Sequence, residues 1–380
     1  MAGELVLITG GAGFIGSHTA DRLLELGYRV RVLDALIPQV HGEDAARPAY
    51  LNDEVELRVG DVRDPEAVDR ALAGATYVYH LAADTGVGQS MYALQQYFST
   101  NVLGTSLVWE RIQRRPGTVG RVVLSSSRAV YGEGRYWCRI CGDVFPGQRS
   151  EARLLRGDWW HYCPNCSRKL EPRPSAEDSP ARPVSVYGLT KKMQEDTCNL
   201  MGGTLGVPVS ILRYFNVYGP RQSLTNPYTG LIPTFSTRLR LGRPVFLYEE
   251  GIPWRDFVHV DDVVRANVAA IAGARPPETV NVGSGTALSL RDVVEALCGV
   301  LGGRCVVERT TKFRLGDILG CYAGLETGNS LVGSTERVSF RDGLRSLLPW
   351  LETSPGVDRS EEVEAELRAR GVLKEGGGGP

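Results

Sequence analysis

Three side chains in this sequence have the types and spacing for proton transfer at a carbinol: Ser127, Tyr187 and Lys191. Tyr187 and Lys191 stand four residues apart, so on a helix they share one face. A free tyrosine titrates near ~10 and is a poor base at neutral pH. A neighbouring ammonium favours the phenolate, so Lys191 is expected to lower the Tyr187 pKa. Ser127 closes the run Val122-Val123-Leu124-Ser125-Ser126-Ser127, which puts its hydroxyl at a strand end. Together the three would take the proton from a hydroxyl while hydride leaves the same carbon for an acceptor. The lysine could also hydrogen-bond a ribose of that acceptor. A Tyr-x3-Lys pair alone arises on many solvated helices, so its meaning depends on what surrounds it.

Between the serines and the tyrosine lies a different chemistry. Cys138-x2-Cys141 and Cys163-x2-Cys166 are separated by twenty-one residues, close to zinc-ribbon spacing. Four thiolates fill a tetrahedral zinc shell and leave no position for water, so the expected metal is structural. It would contribute on the order of 10 kcal/mol to ordering residues 135–171, a segment with little core of its own. His161 is a weaker ligand candidate and reads as a surface residue. Because the insert joins Ser127 to Tyr187, it is expected to lid or wall the pocket, with Arg135, Tyr136, Trp159 and Trp160 as the wall. It carries no dominant basic stripe, which argues against nucleic acid. Cys198, Cys298, Cys305 and Cys321 show no metal spacing and read as buried or inert thiols.

The elements that must position these groups begin at the N-terminus. An apolar strand over Leu5–Thr9 runs into Gly10-Gly11-Ala12-Gly13-Phe14-Ile15-Gly16 and then a helix to about Leu26. Such glycines make a tight turn, let backbone approach a pyrophosphate and pack helix on strand, while the helix N-terminus favours the anion. A second strand, Arg29–Leu33, ends at Asp34, eighteen residues after Gly16. A carboxylate there suits a ribose 2′-hydroxyl and repels a 2′-phosphate, favouring NAD over NADP. Strands over Val55–Val59 and Tyr77–Leu81 end at Asp61-Val62, suited to an adenine amino group, and at Leu81-Ala82-Ala83, small enough for a cofactor to lie against. Val87 opens the loop expected to meet nicotinamide and substrate. Asn101, on a helix over Tyr97–Arg114, is grouped with the cofactor residues as a structural hydrogen bonder. Alternating strands and helices predict an α/β, doubly wound parallel sheet whose ligands bind beyond the carboxyl ends of its strands.

The composition is that of an ordinary globular protein: 380 residues, 42% hydrophobic, formal net charge −1. That length allows one large or two moderate domains. No basic block invites nucleic acid or a membrane surface, and no apolar run is long enough to span a bilayer. With no signal peptide apparent, the expected compartment is the cytoplasm. The expected domains are 1–213 for the dinucleotide, with the 135–171 insert, and 214–355 mainly for substrate, with 258–283 packing back on the first. Residues 356–380 form a tail, disordered over Gly371–Pro380. Further helices are expected over Phe235–Leu241, Asp261–Ala272 and Leu290–Leu301, the last capped by Ser289.

The chain resembles the extended short-chain dehydrogenase/reductases of the NAD-dependent sugar-nucleotide epimerase/dehydratase family. The resemblance rests on Thr9–Gly16, His80–Ala83, Ser125–Ser127 with Val130-Tyr131-Gly132, and Tyr187-x3-Lys191. Leu212–Arg221, Arg255–Asp262 and Asn281-Val282-Gly283 extend it from residue 5 to about 350. It implies a Rossmann-type fold with a smaller substrate domain and a homodimer built on helices near 97–114 and 187–201. It also implies Tyr187 as base, Ser127 as its aid in proton transfer, and a nucleotide-sugar diphosphate held by Asn216, Arg255 and Arg314. Dehydratases of the family carry an Asp-Glu pair after the strand serine or threonine, where this chain has Arg128-Ala129. Simple hydride chemistry at one sugar carbon remains: 4-epimerisation, or reduction of a 4-keto sugar. A non-catalytic nucleotide sensor with a zinc-ribbon interaction module is a third reading, disfavoured by the intact Ser127, Tyr187 and Lys191. Asn226-Pro227-Tyr228-Thr229-Gly230 and the cysteine insert look most like bacterial deoxysugar 4-epimerases, such as those acting on dTDP-L-rhamnose. Arg128 replaces the small residue usual in UDP-galactose 4-epimerases, and is grouped with the substrate residues.

Overall fold

Val6 and Ile8 point into one core and Leu7 into another, the two-residue period of a strand buried on both faces. This strand, β1 (Leu5–Thr9), belongs to a seven-stranded sheet with β2 (Arg29–Asp34), β3 (Glu56–Val59), β4 (Tyr77–His80), β5 (Arg121–Ser127), β6 (Val209–Tyr214) and β7 (Thr279–Val282). The computed structural model describes residues 3–43, 46–226, 228, 230–273, 279–302, 305–332, 337–353 and 356–377. The strand order is β3-β2-β1-β4-β5-β6-β7, and every neighbouring pair is parallel. Strand order reverses between β1 and β4, which opens a crevice beyond their carboxyl ends.

Helices cover both faces. Residues Ala20 and Leu23 of α1 (Phe14–Glu25) enter the first core. The second core holds Val68 of α2 (Pro65–Leu72), Ile112 of α3 (Gly104–Gln113) and Cys198 of α4 (Val186–Leu205). Val263 and Ala266 of α5 (Val260–Ala272) join the first, so this late segment returns to the sheet together with β7. A separate core around Phe235, Leu247, Phe257, Val293 and Leu344 builds the smaller lobe. Its helix Leu290–Leu301 starts on a full capping box between Ser289 and Asp292. The insert is a small antiparallel sheet: Arg135–Cys138 pairs with Gly142–Val144 and with Glu171–Arg173.

Two expectations are corrected here. The C-terminal segment is not a disordered tail. It forms α6 (Ser360–Ala369), and Leu373–Glu375 pairs antiparallel with Lys312–Arg314. Leu367, Val372 and Leu373 bury themselves against Met91, Tyr92 and Tyr248. Residues 378–380 lie outside the described residues. Cys298 and Cys305 are not free thiols but a disulfide, with Cα atoms 6.0 Å apart. Cys198 and Cys321 are buried free thiols. Among the described residues, no helix is long and apolar enough to cross a membrane.

Candidate active site

The crevice widens into a cavity of about 1200 Å³. One end is a glycine cradle. Gly10 has φ +69°, and a Cβ there would stand 2.7 Å from the Ala82 nitrogen. At Gly16 a Cβ would lie 2.5 Å from Gly11 Cα. The first contact packs the turn after β1 on the segment after β4; the second lets α1 start close against that turn. Gly13, which lines the cavity, would put a Cβ no nearer than 3.4 Å to the Gly10 oxygen. Its bare backbone leaves room for an anion at the start of α1, where no side chain caps the free N–H groups. This cradle fits a dinucleotide diphosphate.

Asp34 ties β2 to that turn, accepting from the backbone N–H of Ala12 and Leu36, each at 3.0 Å. It lines the cavity, as do Phe14, Ile15, Val62, Leu81, Ala82 and Ala83. Asp61 does too, held by Arg63, whose guanidinium keeps its carboxyl below the usual range. Asn101 does not reach the cavity. It is fully buried, accepts from Asp84 N–H at 2.8 Å and donates to Thr190 Oγ1 at 3.0 Å. It therefore shapes the site from beneath.

Ser127, Tyr187 and Lys191 converge where β5 meets α4. The α4 N-terminus is capped by Ser185, whose hydroxyl accepts from Gly188 N–H at 3.1 Å. Gly188 rests on the turn after Ser127: a Cβ there would be 2.5 Å from the Ala129 oxygen. That contact sets Tyr187 near Ser127, whose hydroxyl accepts from Ala129 N–H at 3.1 Å. Gly188→Ala is expected to push the phenol out of place and lower kcat by about 10²-fold, since ~1 Å of misplacement can cost that much. A turnover assay on variant protein with unchanged melting behaviour checks it.

The expected electrostatics of this trio differ in one respect. The Tyr187 pKa is raised by enclosure away from water; the Ser127 hydroxyl and the Arg128 charge oppose that rise. Lys191 does not figure in that balance. Its ammonium donates to the Ser125 carbonyl at 2.9 Å, and burial pushes its own pKa down to about 8. The unfolded chain gives up this proton near ~10.5, so between the two values the unfolded state binds more protons and stability rises with pH. Lys191→Met removes the buried charge. Its stability relative to the native protein should therefore fall by about 3 kcal/mol between pH 7 and pH 10.5. Urea melts of cofactor-free protein at the two pH values measure this difference.

The far end of the cavity is cationic. Arg128 and Arg255 line it with Arg314 and Val87. The Arg255 guanidinium donates only to backbone, at the carbonyls of Trp254 (2.7 Å) and Leu319 (3.2 Å). Burial, then the nearby Arg128 charge, push it down to about 10. Arg314 is steadied by Asp317 at 2.9 Å. Asn216 also lines this end, and its buried Oδ1 has no partner. In Asn226–Gly230, Pro227 and Thr229 lie outside the described residues; Asn226, Tyr228 and Gly230 line the cavity.

The insert brings its four sulfur atoms within 4.8 Å of one another, a set that fits one tetrahedral metal. It does not wall the cavity, contrary to expectation. Tyr136 instead packs on Trp254 and Trp159 on Phe313, while Arg135 pairs with Asp143. Lys169 stacks on Trp160. His161 is neither a metal ligand nor a surface residue: it is buried, 3.0 Å from Glu133. The sequence reading missed Glu249 and Asp317, which line the cavity, and α6, whose Glu364 and Leu367 do likewise. It also missed Arg149, the buried partner of Glu249. A signal was available only for Glu249, in the acidic pair before Gly251.

A family model described as "NAD dependent epimerase/dehydratase family" matches residues 6–151 and 162–283. The chain belongs to this family. Within it, the chain is 38% identical to a dTDP-L-rhamnose 4-epimerase of Burkholderia thailandensis over 92% of its length and 95% of that protein's. It is 28% identical to a dTDP-glucose 4,6-dehydratase of Streptomyces niveus, over 91% and 92%. Among solved structures, the UDP-glucose 4-epimerase of Thermotoga maritima with UDP-glucose superposes with a TM-score of 0.74 at 27% identity, over 92% of this chain and 99% of that one. That of Thermus thermophilus in complex with NAD gives 0.73 at 28%, with the same coverages. The matched segments carry the cradle, Ser127, Tyr187 and Lys191, and interrupt inside the cysteine insert.

Proposed function

We propose that this protein interconverts the C4 epimers of a sugar carried on a nucleoside diphosphate, with NAD as its resident cofactor. The observation that carries this reading is the placement of Ser127 and Tyr187 between a dinucleotide cradle and a cationic end suited to a second diphosphate. A cavity of about 1200 Å³ exceeds the ~300–1,000 Å³ of single-ligand pockets, so it has room for two ligands. Arg128-Ala129, in place of a carboxylate pair, disfavours dehydration. The similarity to a dTDP-L-rhamnose 4-epimerase supports a dTDP-deoxysugar as substrate.

Each side chain then has a role. Tyr187 takes the C4 hydroxyl proton and later returns it; Ser127 holds the same hydroxyl; Arg128 favours the phenolate. Lys191 binds a ribose of the cofactor. Arg255, Arg314 and Asn216 grip the diphosphate of the substrate, where planar guanidinium forks suit phosphate oxygens. NAD, when bound, supplies a reversible hydride acceptor at C4 and a positive ring that favours the Tyr187 phenolate. The test is incubation with dTDP-, UDP- and GDP-sugars without added cofactor, scored by product stereochemistry. Turnover only with stoichiometric loss of added NADH would make the protein a reductase instead.

Three further assignments belong to this reading. Cys138, Cys141, Cys163 and Cys166 hold one structural zinc; elemental analysis finding no bound metal would refute it. The protein is a homodimer through α3 and α4, where Leu189 and Leu200 are 41% and 70% exposed and, eleven residues apart, share one helix face. Light scattering that reports an active monomer would refute that. A reducing cytoplasm suits the four thiolates, although the Cys298–Cys305 disulfide runs against it; localisation by fractionation decides.

A further inference from the structure

The insert meets the substrate-side segments through apolar contacts of Tyr136 and Trp159 and through one buried guanidinium, that of Arg149. Arg149 lies between the two cysteine pairs, and its side chain is 3% exposed. It holds both carboxylate oxygens of Glu249, at 3.0 Å from Nη2 to Oε1 and closer from Nη1 to Oε2. Nη2 also donates to the Asp317 carbonyl at 3.1 Å. Its Nε lies 3.4 Å from Glu133, a fully buried carboxylate that accepts from Leu319 N–H at 2.8 Å. His161, also from the insert, meets that carboxylate at 3.0 Å.

These contacts end on the two segments that carry the substrate-side cations. Glu249 belongs to the turn Tyr248–Gly251, just ahead of Arg255. Glu249 and Glu250 have φ of 49° and 56°, a left-handed backbone that non-glycine residues keep only when their surroundings impose it. Asp317 follows Arg314 and steadies its guanidinium, and the Leu319 carbonyl accepts from Arg255. Arg149 thus fastens Tyr248–Gly251 to the segment that begins at Asp317.

We propose that Arg149 is a positioning residue through which the cysteine insert sets the spacing of Arg255 and Arg314, and so the grip on the substrate's nucleoside diphosphate. This rests on the proposed function for the identity of the ligand, but its role is separable from the chemistry at C4. The insert would tune affinity from behind the pocket, where the wall of the pocket itself is made by other elements.

The experiment is calorimetric titration of the cofactor-loaded protein with dTDP, alongside steady-state kinetics. Arg149→Lys keeps the buried charge and loses the two-pronged fork, so it is expected to weaken dTDP binding about tenfold and raise KM alike, with kcat and cofactor content within about twofold. Arg149→Gln is expected to weaken binding further; if it fails to fold, the lysine variant carries the test. A merely structural role would lower the melting temperature while leaving dTDP affinity unchanged well below it, and that result overturns the proposal. So does a fall in kcat with unaltered affinity. If the native protein binds dTDP but turns over no nucleotide sugar, the epimerase reading fails while the positioning role is still decided by the titration. If the native protein binds none of dTDP, UDP and GDP, both fall.

Discussion

Tyr187→Phe is expected to lower kcat by about 10³-fold with little change in KM or in bound cofactor, the loss typical of removing a general base. The variant keeps the ring and its edge contact with Tyr97, at 6.4 Å between centroids. It removes only the phenolic oxygen. In the cofactor-free protein that oxygen stays protonated at neutral pH, because enclosure outweighs the Ser127 hydroxyl and the Arg128 charge. On the proposed mechanism, the positive charge of NAD, once bound, would favour the phenolate that acts as base. Loading with NAD should accordingly lower the phenol pKa, readable as tyrosinate absorbance at alkaline pH that Tyr187→Phe abolishes. A phenylalanine variant with near-native kcat would remove Tyr187 from the chemistry.

The second large effect concerns the proposed zinc site. Cys163→Ser is expected to abolish stoichiometric zinc and to unfold residues 135–171, because metal binding supplies on the order of 10 kcal/mol to such small folds. Cys138 and Cys163 are almost fully buried beside Tyr136, Trp254 and Leu319. Losing the metal therefore loosens apolar contacts that reach Trp254, the neighbour of Arg255. Limited proteolysis should cut the variant within the insert and leave the sheet domain intact. Protease resistance equal to the native protein, with no metal bound, would show that packing alone holds the insert.

The sheet and its ligand crevice were legible because strand ends in a doubly wound fold coincide with short, chemically marked sequences: Gly10–Gly16, Asp34, Leu81–Ala83 and Ser125–Ser127. Each marker is local, and the topology gathers them. Arg149 and Glu249 were not legible, because their meaning lies in a contact a hundred residues apart in sequence. His161 was read as a surface residue for the same reason, since nothing local announces its pairing with Glu133. Helical spacing says that Tyr187 and Lys191 share a face, not where the ammonium turns. It turns to the Ser125 carbonyl. At the C-terminus, composition outweighed pattern: four glycines suggested disorder, while Val372 and Leu373 held the chain in place.

The most direct test is a nucleotide sugar carrying deuterium at C4, incubated with the purified protein in ordinary water. The account predicts a mixture of the two C4 epimers, each retaining the label, with no cofactor added. Label lost to solvent, or a single keto product accumulating with stoichiometric NADH, would contradict it.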